Sequence, residues 1–314
     1  MPDHHKEQFI DIKTHDHKIL KLTCWQVSEN PECIVHILHG MAEHKLRYKE
    51  FAHFLNNHAV CVYAHDHRGH GDSAELGGTI GHFGDKNGFK NILADVESVQ
   101  QFIRKTHPDT PVFILAHSMG SFIAQNYLLH YQPKIHGLIL TGSALSPGFL
   151  VHSLRAVATL EKLRVGARKP STLLNNLTFG SYNKTFKPAR TVFDWLSRDN
   201  QTVNQYMLDP LCGFMCSTES WQQLASALLE ISDARNFSKV DKNLPLLLIS
   251  GDKDPVGGFG KAVKALYQFW KELGQTQVTL ELLTDARHEV LNEINKEKTY
   301  NDILQWIFQQ SRHA

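Results

Sequence analysis

Excess charge of either sign is missing from this chain. A formal net charge of +1 across 314 residues leaves no electrostatic field to recruit nucleic acid or a strongly anionic membrane surface, so nucleic-acid binding is set aside. Long apolar runs are missing too. No segment is long and apolar enough to span a bilayer, and Met1-Pro2-Asp3-His4-His5-Lys6-Glu7 has no apolar core for a signal peptide. The cysteines Cys24, Cys33, Cys61, Cys212 and Cys216 are odd in number, and Cys33 and Cys61 sit in or beside strand-like apolar runs, where thiols act as small hydrophobes. That usage points to a reducing compartment, and the expectation is a soluble cytoplasmic protein. Internal repeats and low-complexity tracts are absent.

What remains is ordinary globular composition, with 42% hydrophobic and 21% charged residues. The length suits one α/β domain carrying an insertion. Residues 9–27 alternate apolar and polar around Thr14-His15-Asp16-His17, which predicts an antiparallel hairpin at a sheet edge. After Asn30-Pro31 the pattern changes to short apolar runs, at Cys33 to Leu38, Val60 to Ala64, Val112 to Ala116, Leu138 to Leu140 and Leu246 to Ile249. Continuous apolar strands are buried on both faces, as in a parallel sheet. Between them lies a helix with Phe89, Ile92, Val96, Val99 and Ile103 on one face, ending before His107-Pro108. Further helices are expected from Lys261 to Leu273 and Tyr300 to Gln310, with a strand at Val278 to Leu283. The count is about eight strands. From Ser143 to about Asn243 the strand rhythm gives way to helical stretches, such as Leu154, Val157, Leu160 and Leu163, punctuated by Pro170, Pro188 and Pro210. The expected organisation is a core of residues 1–142 and 244–314 with a helical cap inserted at 143–243.

The chemistry is concentrated where Phe113-Ile114-Leu115-Ala116 ends in His117-Ser118-Met119-Gly120. A serine at a tight strand-to-helix turn points its hydroxyl out of the sheet, beside backbone N–H groups of the helix N-terminus. The usual G-x-S-x-G reads A-H-S-M-G here, so Ala116 adds a methyl at a crowded place. Alone, such a serine is more often an N-cap than a nucleophile. A nucleophile needs a base and a carboxylate at the ends of later strands. Leu246 to Ile249 is followed by Ser250-Gly251-Asp252-Lys253-Asp254, and Val278 to Leu283 by Thr284-Asp285-Ala286-Arg287-His288-Glu289. The order Ser118, Asp254, His288 fits the acyl-transfer triad of this fold class. Asp254 is preferred from its spacing to Gly251, with Asp252 as the alternative and Asp285 as a weaker rival. Two oxyanion donors are expected, the N–H groups of Met119 and of Met41 in His39-Gly40-Met41-Ala42-Glu43-His44.

His65-Asp66-His67-Arg68-Gly69-His70-Gly71-Asp72 crowds imidazoles and carboxylates into one loop, as a metal site would. Bracing of the site by hydrogen bonds from Arg68 and Asp66 explains the run without an ion, and neither metal nor cofactor is expected. His4-His5 reads as solvated terminus.

Together, His39-Gly40, Glu43-His44, Arg47-Tyr48, Asp66, Arg68-Gly69-His70-Gly71, Ser73, Ala116-His117-Ser118-Met119-Gly120, Gly251, Asp254 and Val256 resemble the monoacylglycerol lipase and lysophospholipase family of α/β-hydrolases. In the 143–243 segment, Asn183-Lys184, Phe186-Lys187 and Asp209-Pro210-Leu211-Cys212-Gly213-Phe214 are similar to phrases of bacterial members. The resemblance implies the α/β-hydrolase fold and a serine esterase that cleaves one acyl chain from a glycerol-based lipid. It also implies that Glu43 and Arg47 lie near the head-group pocket; an ion pair holding the oxyanion loop is the other reading of them. Transient membrane-surface contact through the cap is left open. The rivals are a short-chain carboxylesterase, a peptidase acting on N-terminal residues, which would need acids such as Glu219 or Glu230 to hold an amine, and a non-catalytic lipid-binding protein.

Overall fold

The computed structural model describes residues 6–27, 30–146 and 148–312, so His4-His5 lies outside the described residues. Strands β1 (Lys6–Lys13) and β2 (Ile19–Gln26) form the antiparallel hairpin, paired from Lys6 against Gln26 to Lys13 against Ile19. The turn is held by Thr14, whose hydroxyl donates to Asp16 at 2.6 Å. Then follow β3 (Cys33–Leu38), α1 (Lys49–Asn56), β4 (Val60–His65), α2 (Gly88–Thr106), β5 (Val112–His117), α3 (Met119–Tyr131) and β6 (Gly137–Thr141). Four helices come next, α4 (Gly148–Val165), α5 (Thr172–Thr178), α6 (Asn200–Leu208) and α7 (Thr218–Ile231). The sheet resumes with β7 (Leu246–Gly251), α8 (Lys261–Glu272), β8 (Val278–Leu283) and α9 (Lys296–Ser311).

The eight strands form one sheet in the order β1-β2-β4-β3-β5-β6-β7-β8. The β1–β2 and β2–β4 pairs are antiparallel and all others parallel. Every residue of β3, β4, β5, β6 and β7 is buried, which is why these strands read as nearly continuous apolar runs. One face is covered by α1 and α9 through Phe51, Leu55, Ile303 and Trp306. The other is covered by α2, α3 and α8 through Ile92, Val96, Ile123, Val263 and Leu266, and Trp221, Leu224 and Leu228 of α7 join this cluster.

The helical stretch expected around Leu154, Val157, Leu160 and Leu163 is α4, and only part of that series is covered. Leu154 and Val157 pack against the core, whereas Leu160 is 65% and Leu163 79% exposed. At about 100° per residue, each three-residue step falls about 60° short of a full turn, so a strict i, i+3 series winds around the helix and puts Leu154 and Leu163 on opposite sides. Burial falls instead on Val151, Ala158 and Glu161. No described helix is long and apolar enough to cross a membrane.

Candidate active site

The parallel strands end on one side of the sheet, and the chemically interesting residues follow those ends. Ser118 stands between β5 and α3 with φ 51° and ψ −118°, backbone that costs an L-residue free energy and throws the side chain clear of the sheet. The turn is held by the Ser118 N–H donating to the Thr141 carbonyl at 2.9 Å, and it needs Gly120: a Cβ there would lie 2.2 Å from the Leu38 carbonyl oxygen. Ala116 is fully buried in the core, so the methyl that departs from the usual glycine finds room.

His288 follows β8 and Asp254 follows β7. Asp254 accepts from His288 Nδ1 at 3.0 Å and is itself oriented by the Val256 N–H at 2.8 Å. Both side chains are essentially removed from solvent. Burial opposes charge on the imidazole, but the attraction and hydrogen bond of Asp254 outweigh it and hold the His288 pKa above its ordinary value. Asp252 accepts instead from the Asp285 N–H at 2.8 Å and lies 3.4 Å from Lys253 Nζ, so neither rival carboxylate partners the histidine. With Nδ1 engaged, the free face of His288 is Nε2. The His288 ring lies 4.7 Å from that of His117 and 5.1 Å from Trp195. His117, which no local signal marked out beyond its place in the motif, is hydrogen-bonded through Nδ1 to Thr141 Oγ1 at 2.9 Å. Burial, aided by the nearby His288, lowers its pKa to about 4 and keeps it neutral.

A cavity of about 530 Å³ contains Ser118 and His288 in its wall, together with Gly40, Met41, Glu43 and Met119. Met119 is the first residue of α3, so its N–H has no partner inside the helix. Among the described residues the Met41 N–H makes no backbone hydrogen bond. The rest of the wall is mainly apolar and aromatic, including Phe122, Phe179, Trp195, Trp221, Leu224 and Leu228. Most of these come from the stretch between β6 and β7.

Glu43 and Arg47 belong to a buried ionic chain. Glu43 Oε1 accepts the Gly40 N–H at 2.6 Å and the Tyr48 hydroxyl at 2.9 Å, and Oε2 accepts from Arg47 at 2.7 Å. Arg47 also grips both carboxylate oxygens of Glu289 at 2.6 Å and lies 4.8 Å over the Tyr206 ring. Burial alone would raise the Glu289 pKa; Arg47 holds it below the usual carboxylate range. Glu43 and Glu289 line the cavity, whereas Arg47 lines a second, smaller one. Glu289 has no spacing signal of its own, since what recruits it comes from far away in the chain.

The expected bracing by the 65–72 loop is divided. Asp66 accepts from the Lys45 backbone at 2.8 Å, from Lys45 Nζ at 2.6 Å and from the Asp72 N–H at 2.9 Å, so it steadies the chain just past Glu43. Arg68 turns away from the site and ties Asp95 of α2 to Asp16 of the hairpin turn, at 2.6 and 2.7 Å.

Over residues 29–295 the chain matches a family described as serine aminopeptidase, S33. It is 29% identical over 287 residues to the monoacylglycerol lipase of Mycolicibacterium smegmatis, covering 90% of each chain. To the monoglyceride lipase of Homo sapiens it is 28% identical over 291 residues, covering 92% of this chain and 87% of the relative. The solved structure of a thermostable carboxyl esterase from Bacillus coagulans in complex with glycerol superposes with a TM-score of 0.88 at 26% identity, over 97% of this chain and 99% of that one. The expected α/β-hydrolase fold is the fold observed.

Proposed function

This chain belongs to the serine aminopeptidase S33 family, and from the geometry of its site and the names of its relatives we propose a serine carboxylester hydrolase that releases a single acyl chain from a monoacylglycerol or lysophospholipid. The observation that carries the reading is the wall of the 530 Å³ cavity, where Ser118 and an Asp254-oriented His288 meet a largely apolar lining. Names of the relatives support the same substrate class.

Ser118 Oγ attacks the ester carbonyl carbon while His288 Nε2 takes its proton, and Asp254 holds the tautomer and steadies the imidazolium. The Met41 and Met119 N–H groups receive the developing oxyanion. Collapse breaks the C–O bond, and His288 returns the proton to the glycerol oxygen as it leaves. Water, deprotonated by His288, then hydrolyses the acyl-enzyme. Glu43 sets the Gly40 peptide that precedes the first donor.

An amine-binding peptidase is disfavoured by the same geometry. The cavity carboxylates Glu43 and Glu289 share one cation, Arg47, and Glu43 is further taken up by the Gly40 N–H and the Tyr48 hydroxyl, so their oxygens are committed to the protein rather than open to an amine. Glu219 and Glu230 do not line the cavity, and they pair with Lys162 and His130.

Val192 lines the cavity yet is 71% exposed, and Phe149, Leu150, Leu173 and Leu177 of α4 and α5 are also open to solvent. These side chains support transient contact of the segment with a lipid surface. The five cysteines are all free, which favours a reducing, cytoplasmic setting. Hydrolysis of monoacylglycerols, lysophospholipids and short aryl esters across chain lengths tests the substrate. Turnover of long-chain monoacylglycerol or lysophospholipid is expected; activity confined to short soluble esters would remove the lipid assignment and keep the esterase.

A further inference from the structure

The proposed acyl transfer uses no metal, yet one group of side chains away from the reacting atoms has the donor set of a metal site. His44 lies just past the 39–43 loop, Asp209 ends α6, and Cys212 follows three residues later. One donor atom from each lies within 4.8 Å of the other two, and His44 Nε2 is 2.8 Å from Asp209 Oδ2. We propose that His44, Asp209 and Cys212 bind a borderline-soft divalent cation of the zinc type.

An imidazole nitrogen, a carboxylate oxygen and a thiolate sulfur together select zinc over magnesium or calcium, which take oxygen donors. With metal–ligand bonds of about 2.0 to 2.3 Å, donors on one tetrahedral ion stand roughly 3 to 4 Å apart, so the triangle needs only small side-chain adjustments. Two of the three ligands, His44 and Asp209, line a cavity of about 290 Å³ that Arg47 lines as well, which leaves room for a water in the fourth position. On binding, the Cys212 thiol gives its proton to solvent, and the His44–Asp209 hydrogen bond opens as the imidazole proton moves through solvent from Nε2 to Nδ1, which frees the Nε2 lone pair. Thiolate and carboxylate then balance the dication. The neighbouring Arg47 adds no uncompensated positive charge, being paired with Glu43 and Glu289.

The ion does not touch Ser118. It fastens two segments that already meet at Ala42, whose carbonyl accepts the Gly213 N–H and the Tyr206 hydroxyl, each at 2.9 Å. Because Ala42 adjoins Met41, the site is a clamp on the proposed oxyanion loop.

Titration of the metal-stripped full chain with Co²⁺ alone is the test. The expected result is a thiolate-to-cobalt charge-transfer band saturating at one ion per chain, bleached by Zn²⁺, with Zn²⁺ raising the thermal midpoint. Cys212→Ser should abolish the band, and Asp209→Asn, checked for folding by circular dichroism, should weaken binding on the order of tenfold or more. No band, or a band of equal strength in Cys212→Ser, overturns the site. So does unchanged affinity in Asp209→Asn, which also covers the case of a misfolded cysteine variant. Binding by terminal histidines produces no thiolate band and counts as a negative.

Discussion

Arg47 holds Glu289 through two parallel contacts of 2.6 Å, across 242 residues of sequence. Glu289 is the residue after His288, and Arg47 also holds Glu43, so one guanidinium joins the loop carrying the proposed oxyanion donor to the loop carrying the proposed base. Replacing Arg47 with Met leaves two buried carboxylates without their cation. The expected loss is about 3–5 kcal/mol of unfolding free energy. Urea titration checks it, and adding Glu289→Gln should restore part of the loss; equal stability of Arg47→Met and the parent would rule out this role.

Ser118→Ala removes the attacking oxygen and leaves the turn, whose backbone bond to Thr141 does not involve the side chain. Its kcat should fall on the order of a thousandfold or more with an unchanged unfolding midpoint. Fluorophosphonate labelling should disappear with it.

The base must be neutral to accept a proton, so activity rises with pH through the His288 pKa. Since Asp254 holds that pKa above its usual value, the midpoint of the acid limb should lie above about 6.5. Asp254→Asn leaves burial as the main influence, which moves the midpoint down, and kcat should fall on the order of a thousandfold or more. A midpoint that stays put in Asp254→Asn would separate the limb from His288.

Trp221, Leu224 and Leu228 form a buried part of the cavity wall, in contrast to exposed Val192. Leu224→Trp should fill this end and discriminate against long acyl chains. At about 0.8 kcal/mol per methylene, each carbon denied burial should cost about fourfold in kcat/KM. Relative kcat/KM for short- and long-chain monoacylglycerols measures it.

In and around the 39–43 loop lie five buried histidines, His36, His39, His65, His67 and His70. Burial lowers all five pKa values, to about 3 for His36 and about 4 for His70. The unfolded chain takes up these protons from about pH 6.5 downward while the folded one does not, so their stabilisation is complete above that pH and is lost as pH falls toward about 4. Among the described residues neither ring nitrogen of His67 has a hydrogen-bond partner, so His67→Phe should flatten this dependence. Urea midpoints between pH 7 and 5, roughly spanning the ordinary histidine range, give the slope.

Apolar runs such as Phe113 to Ala116 and Leu246 to Ile249 determined the central strands, because a strand buried on both faces is built mostly of apolar residues. The residues proposed for the triad were legible for a related reason: Ser118, Asp254 and His288 lie within five residues after the ends of β5, β7 and β8, and the parallel pairing of β5, β6, β7 and β8 brings those ends together. Helices carry less information. The spacing of Leu154, Val157, Leu160 and Leu163 winds around α4, so they could not all be covered, and packing decided which side was. The cavity lining, the service of Glu43 and Arg47 as an ionic brace, the recruitment of Glu289 and the meeting of His44 with Cys212 were likewise decided in three dimensions. Each depends on contacts between segments distant in the chain, and local periodicity and spacing record which side of an element is apolar but not which element it will face.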